Sequence, residues 1–193
     1  MSTFAQITND WMELSSGARF YLDAPDPATI TVEVIAHHLA QVNRYGGAAR
    51  RPYSVAEHAV LVARRLRALG YDAATCLAGL HHDDAEAFVG DVVRPIKRSL
   101  GGYAAIEARV QAACEVALGV APGVAAAVDA ADDWALSCEA AHLMPSGGAE
   151  WVSAGLYDGT GRLRPARRCS WRRARLRYLR MHRELTMHPG ERT

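Results

Sequence analysis

Apolar residues recur at helical spacing along most of this chain, and each such stretch ends at glycine or proline. Ser54, with Glu57 three residues later, has the capping-box pattern that marks the start of one helix. No stretch alternates apolar and polar residues as a half-buried strand does. The pattern predicts an all-α bundle of six or seven helices. The predicted helices cover about residues 31–44, 54–69, 73–89, 103–118, 124–143 and 170–185, and residues 93–97 are predicted to form a loop.

The composition fits one globular domain. Half of the 193 residues are apolar and the formal net charge is +1, so we expect a single domain over residues 1–193 with a sizeable core. The four cysteines are scattered and form no CxxC pair, which favours reduced thiols. Neither a signal peptide nor about 18 successive apolar residues is visible. These features predict a cytoplasmic protein that does not enter a membrane.

Residues 80–91 concentrate side chains that bind metals. They include two histidines and four carboxylates, and they directly follow an apolar run. An adjacent histidine and aspartate offer a divalent metal one nitrogen and one oxygen ligand. On a helix, Glu86 would share a face with His82, which lies four residues before it. A metal with a neighbouring carboxylate can activate water for hydrolysis.

Two further candidate ligands lie on other predicted helices. His58 and Asp132 are polar residues within otherwise apolar helical stretches. Taken alone, a histidine such as His58 is more often a core residue than a ligand, and Asp132 fits a solvated helix face as well as it fits a ligand. Together they indicate a metal site, because separate helices that each contribute one ligand are what a mononuclear metal cage needs. A buried aspartate without a cation or hydrogen-bond donors would also be costly.

These motifs resemble those of a known family. The order His58, then His82 and Asp83, then Asp132 resembles the H…HD…D signature of the HD-domain metal-dependent phosphohydrolases. The resemblance covers about residues 30–145, is closest to the bacterial 5'-deoxynucleotidase branch, and extends to the phage dATP triphosphohydrolases. Four segments carry it: NRY at 43–45, YSVAEH at 53–58, HDDAEAFVGD at 82–91, and the Ala-Asp pair at 131–132.

The resemblance implies a metal centre with acid–base residues beside it. Glu86 would orient or deprotonate the attacking water, and Asp91 would act as acid or base near the leaving group. Mixed histidine and carboxylate ligands do not distinguish Co, Mn, Zn, Ni, Fe or Mg as the divalent metal ion. The implied metal ligands are His58, His82, Asp83 and Asp132.

The resemblance also implies substrate-binding residues. Arg44 would grip phosphate oxygens, and Tyr45, where relatives often have tryptophan, would lie beside the sugar or base. Lys97 matches a lysine that contacts the outer phosphates in the triphosphohydrolases. Arginine suits forked phosphate contacts, and lysine acts as a point charge. Three further arginines could serve instead: Arg50, Arg51 and Arg94.

The histidine–aspartate cluster allows two registers. His81 could pair with Asp83 or Asp84, in place of the pair His82 and Asp83. The spacing to the glutamate and the Gly-Asp pair of the family motif favours His82 with Asp83. A second departure is Ala48, which stands where many relatives have a histidine after the Gly-Gly pair. A second metal or a base contact from that loop is therefore left open.

Residues 162–183 contain many arginines and no acidic residue, as nucleic-acid-binding segments often do. However, their apolar residues recur at helical spacing. We therefore favour a basic amphipathic helix at about residues 170–185 that packs on the domain and has a solvated basic face. The apolar positions are Trp171, Ala174, Tyr178, Met181 and Leu185.

The resemblance, together with the metal-binding pattern, implies a metal-dependent phosphohydrolase of (deoxy)nucleotides. It would cleave phosphate or tripolyphosphate from (deoxy)nucleoside mono- or triphosphates with metal-activated water. A hydrolase of cyclic nucleotides or guanosine tetraphosphate is a less favoured possibility within the family. Two non-enzymatic functions also stay open: a non-catalytic metal-bound HD module, which would need neither Glu86 nor Asp91, and a basic nucleic-acid-binding helical protein. The expected partner is a nucleotide substrate, and binding to a membrane or to nucleic acid is not expected. Whether the protein forms a homo-oligomer is left open.

Overall fold

The computed structural model describes residues 10–120, 125–159 and 162–187. Within these ranges the chain forms seven α-helices of more than one turn, one single-turn α-helix and two short 3-10 helices (Pro27–Thr29 and Arg44–Gly47), so the predicted all-α bundle is confirmed. The sheet found there is a small antiparallel ribbon of β1 (Met12–Glu13) and β2 (Arg19–Phe20). Val124, where one helix was predicted to begin, lies outside the described residues. The helices are α1 (Val32–Leu39), α2 (Val55–Ala68), α3 (Ala73–His81), α4 (Glu86–Val89), α5 (Arg94–Ser99), α6 (Tyr103–Leu118), α7 (Ala125–Leu143) and α8 (Trp171–Thr186).

Helix α2 lies at the centre of the bundle and contacts α3, α7 and α8. It begins at the predicted capping box, in which Ser54 and Glu57 each accept a hydrogen bond from the other's backbone amide. Helix α3 approaches α2 closely at Gly79, where an added Cβ would lie 2.3 Å from Cδ1 of Leu66. This close approach brings the end of α3 beside His58 on α2.

Helix α3 ends at His81, and residues 82–85 form a turn instead of continuing the predicted helix. The side chain of Gln111 is inserted at this point. Its Oε1 accepts a hydrogen bond from the Ala85 amide at 3.0 Å, and its Nε2 donates to the His81 carbonyl at 2.8 Å. In a continuous helix this amide and this carbonyl would bond to each other, so the amide group of Gln111 replaces one helical hydrogen bond.

Two other predicted boundaries are wrong. Helix α1 ends at Leu39 instead of near residue 44, because the backbone beyond it pairs with residues 53–55. The Arg44 amide donates to the Tyr53 carbonyl at 2.9 Å, and the Val55 amide donates to the Val42 carbonyl at 3.0 Å. The predicted loop at 93–97 contains the start of α5, because proline is tolerated in the first turn of a helix.

Helix α8 packs its apolar face against α1, α2 and α3, as the amphipathic pattern predicts. Ala174, Tyr178, Met181 and Leu185 are buried along this face. None of the helices in the described ranges is both long and apolar enough to cross a bilayer.

Candidate metal centre

Three predicted ligands from three helical segments converge at one point. His58 comes from α2, His82 from the C-terminal cap of α3, and Asp132 from α7. One ligand atom of each lies within 4.8 Å of the corresponding atoms of the other two. Nε2 of His58 lies 3.0 Å from Oδ1 of Asp132 and 3.4 Å from Nε2 of His82. The structure therefore contains a cluster that could hold a metal ion.

The fourth predicted ligand, Asp83, lies beside this cluster. Its Oδ2 is 3.2 Å from Nε2 of His82 and 3.6 Å from Nε2 of His58. Two imidazole nitrogens and two carboxylates form a mixed donor set that suits a borderline divalent cation. Asp83 is not one of the three residues whose ligand atoms all lie within 4.8 Å of one another, but it lies beside them. The role of all four residues as ligands stays a prediction.

Hydrogen bonds at the other ring nitrogens orient both histidines. Nδ1 of His58 lies 2.7 Å from Oε1 of Glu139, and Nδ1 of His82 lies 3.0 Å from the Gly79 carbonyl. When Nδ1 donates in these contacts, each Nε2 turns a lone pair towards the other histidine and towards the aspartates. Two nitrogen lone pairs and two carboxylates that face one small volume are a good fit to a cation.

The electrostatics of these side chains point the same way. Burial and Arg44 lower the pKa of His58, but Glu139 and Asp132 outweigh both and raise it to about 10. Burial opposes ionisation of Asp132, but the neighbouring His58 holds the pKa of that carboxyl well below its usual range. His82 likewise keeps the pKa of Asp83 low despite burial. The centre is thus built for positive charge, which a proton on imidazole or a cation can supply.

Glu139 is a central residue that the sequence analysis missed. Its side chain is fully buried on α7, where it accepts hydrogen bonds from His58 and from the hydroxyls of Tyr45 and Tyr53. The available signal was spacing, because Glu139 follows Asp132 by seven residues, or two helical turns, and so lies on the same face of α7.

A cavity of about 550 Å³ opens beside the cluster. Glu86 is almost fully buried in its wall, and Oε2 of Glu86 has no hydrogen-bond partner among the described residues. Burial and the charges of Asp83 and Asp91 raise the pKa of Glu86 to about 9. Every residue predicted to act on water or substrate lines this cavity: Arg44, Tyr45, Glu86, Asp91 and Lys97.

All three cations that line this cavity in the described residues lie close to carboxylates. The guanidinium of Arg44 lies 3.6 Å from Asp83 and 3.3 Å from Glu139. Nζ of Lys97 lies 2.5 Å from Glu107 and 3.6 Å from Glu86.

Of the three further arginines considered for phosphate binding, Arg94 lines the cavity. Its guanidinium lies 4.0 Å from Asp132 and 3.9 Å from Asp133, and its side chain is more exposed than those of Arg44 and Lys97. Arg50 and Arg51 do not line the cavity. Their guanidinium groups donate to the backbone carbonyls of Pro145 and Ala166.

Aromatic side chains also line the cavity. The rings of Tyr45 and Trp151 lie 5.7 Å apart. Tyr45 has a φ of 62°, a strained conformation for a residue other than glycine, and its hydroxyl bonds to Glu139. Ser153 Oγ is buried here without a partner in the described part of the chain. No sequence pattern pointed to Trp151 or Ser153, because residues 144–153 follow no regular period.

The side chains of the alternative pair, His81 and Asp84, point away from the candidate metal centre. Nδ1 of His81 lies 2.6 Å from Oδ2 of Asp84, and Nε2 of His81 lies 2.9 Å from Nδ1 of His182 on α8. The Tyr178 hydroxyl donates to Oδ1 of Asp84 at 2.5 Å. His81 and Asp84 therefore link the turn at residues 82–85 to α8, whereas His82 and Asp83 face the candidate metal centre.

The fold and the site define a helical protein with a candidate metal centre, and comparison with known proteins gives relatives without a stated activity. The chain is 38% identical to an uncharacterized protein of Rhodobacter capsulatus over 105 residues, which is 52% of this chain and 54% of that protein. It is 33% identical to the uncharacterized protein YfdR of Escherichia coli over 96 residues, which is 49% of this chain and 51% of YfdR. The chain thus spans about half the length of the curated relatives it matches. No family model matches it.

Proposed function

We propose that this chain is an HD-domain metal-dependent phosphohydrolase that acts on (deoxy)nucleotides. The observation that carries the proposal is the convergence of His58, His82, Asp83 and Asp132 at a cavity that also holds Glu86. A structural metal needs its ligands, but it does not need an almost fully buried carboxylate beside them with one free oxygen. Glu86 therefore favours catalysis over a purely structural role.

In the proposed hydrolysis, the metal and the side chain of Glu86 have separate roles. A divalent metal bound by the four ligands would lower the pKa of a water molecule and offset charge on phosphate oxygens. Glu86 accepts a proton from the nucleophile, because its Oε2 has no hydrogen-bond partner among the described residues. Its raised pKa depends partly on the charges of Asp83 and Asp91, so neutralisation of these charges brings it towards the range of a general base.

Substrate binding follows from the cations and the aromatic rings that line the cavity. Arg94 and Lys97 supply positive charge to phosphate oxygens. Arg44, which is paired with Asp83 and Glu139, mainly holds those carboxylates in place. Tyr45 and Trp151 offer aromatic faces to a sugar or base. Asp91 lines the same cavity and can protonate a leaving oxygen.

The test is a phosphate-release panel. Deoxy- and ribonucleoside mono-, di- and triphosphates are incubated with the protein and with each of several divalent ions, and phosphate, pyrophosphate and tripolyphosphate are resolved as products. We expect turnover that depends on the metal and is absent in Asp83→Ala. The absence of any product from the whole panel, with metal shown to be bound, would overturn the proposal in favour of a non-catalytic metal-bound module.

A further inference from the structure

A second and larger cavity, of about 810 Å³, lies between α2, α8 and residues 163–167. It shares no lining residue with the cavity at the candidate metal centre. Its lining is rich in arginine, and the arginines come from all three segments. They are Arg64 and Arg67 on α2, Arg164 and Arg167 in the connecting segment, and Arg177 and Arg180 on α8.

The positive charge in this cavity exceeds the negative charge. Among the described residues that line it, the carboxylates are Glu57 and Glu184. Glu184 holds two guanidinium groups in place, with Arg67 at 3.2 Å and Arg180 at 2.8 Å. Within the described ranges, the other four arginines have no carboxylate within 4.0 Å. Guanidinium groups stay charged at neutral pH, so this cavity attracts anions.

The floor of the cavity is apolar, which distinguishes it from a plain basic surface. Apolar residues from all three segments line it: Val60 and Leu61 on α2, Ala174 and Met181 on α8, and Pro165. The volume falls in the range of roughly 300–1,000 Å³ that small-molecule sites occupy. An apolar floor with a rim of arginines suits a ligand that has a flat organic part and several phosphates. Arginine binds phosphate oxygens through its forked donors.

We propose that this cavity is a binding site for a small organic polyphosphate, separate from the metal centre. The arginines converge on one concave volume from three segments. A nucleic-acid strand would instead need a stripe of contacts along an exposed surface. Arg172 and Arg173, which are exposed on the same helix, do not line the cavity. The proposal does not depend on hydrolysis at the metal centre.

Isothermal titration of the full chain with adenosine triphosphate, in the presence of a chelator, tests the site without turnover. Inorganic tripolyphosphate serves as a second probe that lacks the organic part. The double variant Arg64→Ala/Arg177→Ala should weaken adenosine triphosphate binding by about tenfold or more, since each lost arginine removes a charge-assisted contact. The matched control, Arg172→Ala/Arg173→Ala, should bind as the native chain does. Circular dichroism checks that each variant is folded.

Other results would overturn the proposal. If both double variants, Arg64→Ala/Arg177→Ala and Arg172→Ala/Arg173→Ala, weakened adenosine triphosphate binding equally, the result would indicate a diffuse basic surface. If the native chain bound neither adenosine triphosphate nor tripolyphosphate, the site would be excluded. Loss of binding in Arg94→Ala/Lys97→Ala, with none in Arg64→Ala/Arg177→Ala, would place the probe in the cavity at the metal centre. A single-stranded oligonucleotide that binds more tightly than adenosine triphosphate, with affinity that grows with its length, would indicate a nucleic-acid surface.

Tighter binding of adenosine triphosphate than of tripolyphosphate would support the role of the apolar floor.

Discussion

Nδ1 of His58 lies 2.7 Å from Oε1 of Glu139, and both side chains are fully buried. A carboxylate at this nitrogen fixes the ring and makes Nε2 the nitrogen that faces the candidate metal centre. The same carboxylate holds Arg44, Tyr45 and Tyr53, so it links the wall of the cavity to a metal ligand. Glu139 is therefore a positioning residue for the centre.

Replacement of Glu139 by glutamine should weaken metal binding by about 10- to 100-fold, the usual cost of losing a partner that orients a ligand. Glutamine keeps the size of the side chain but loses the charge that supports His58. Titration calorimetry with a divalent ion measures the affinity. The control is Glu150→Gln, an exposed residue that lines the same cavity. Unchanged affinity in Glu139→Gln would show that the orientation of His58 does not depend on this charge.

The two adjacent aspartates of the turn should respond differently to removal of their charge. Asp83→Asn should lose bound metal, because Oδ2 of Asp83 lies 3.2 Å from Nε2 of His82 and 3.6 Å from Nε2 of His58. Asp84→Asn should keep metal and lose stability, on the order of 1–3 kcal/mol, because Asp84 accepts buried hydrogen bonds from His81 and Tyr178. Metal content by elemental analysis and urea unfolding distinguish the two. Metal loss in Asp84→Asn alone would favour the other register.

The sequence analysis predicted the bundle and the set of charged residues better than it predicted their surroundings. Helical period and the capping box at Ser54 are local signals, and both were interpreted correctly. The break after His81 could not be predicted, because it depends on Gln111, which is 30 residues away. The same holds for Trp151 and Ser153, which reach the cavity through an irregular segment. Long-range contacts of this kind leave no period in the chain, so local patterns cannot reveal them.

Glu86 should make the stability of the metal-free protein depend on pH. Its pKa is raised from 4.5 to about 9 in the folded state. The neutral carboxyl is compatible with burial, whereas the charged form is not. The contribution of Glu86 to the free energy of unfolding is therefore fully present below about pH 4.5 and is lost as the pH rises towards 9. Glu86→Gln removes this loss and should therefore stabilise the metal-free protein more at pH 8 than at pH 5. Urea unfolding in a chelator measures this, and an equal effect at both pH values would contradict it.

Glu86→Ala should separate metal binding from turnover. Glu86 lines the cavity but does not belong to the cluster of candidate ligands, so bound metal should be retained. The rate of nucleotide hydrolysis should fall by about 10²- to 10⁴-fold, the usual contribution of general acid–base catalysis. Metal content and kcat are measured on the same preparation. Full activity in this variant would exclude the proton-accepting role assigned to Glu86.

Lys97→Ala should reduce kcat/KM for nucleoside triphosphates by about tenfold more than for monophosphates, as expected for the loss of one charge-assisted phosphate contact. Lys97 also lies 3.6 Å from Glu86, so its removal will alter the carboxylate for every substrate. That common effect cancels when the ratio of the two kcat/KM values is compared between the variant and the native chain. Glu107→Gln is the matched control, since it frees Lys97 from its 2.5 Å ion pair while leaving the ammonium in place. A ratio that is unchanged in Lys97→Ala would mean that Lys97 acts through Glu86 alone and makes no contact with the outer phosphates.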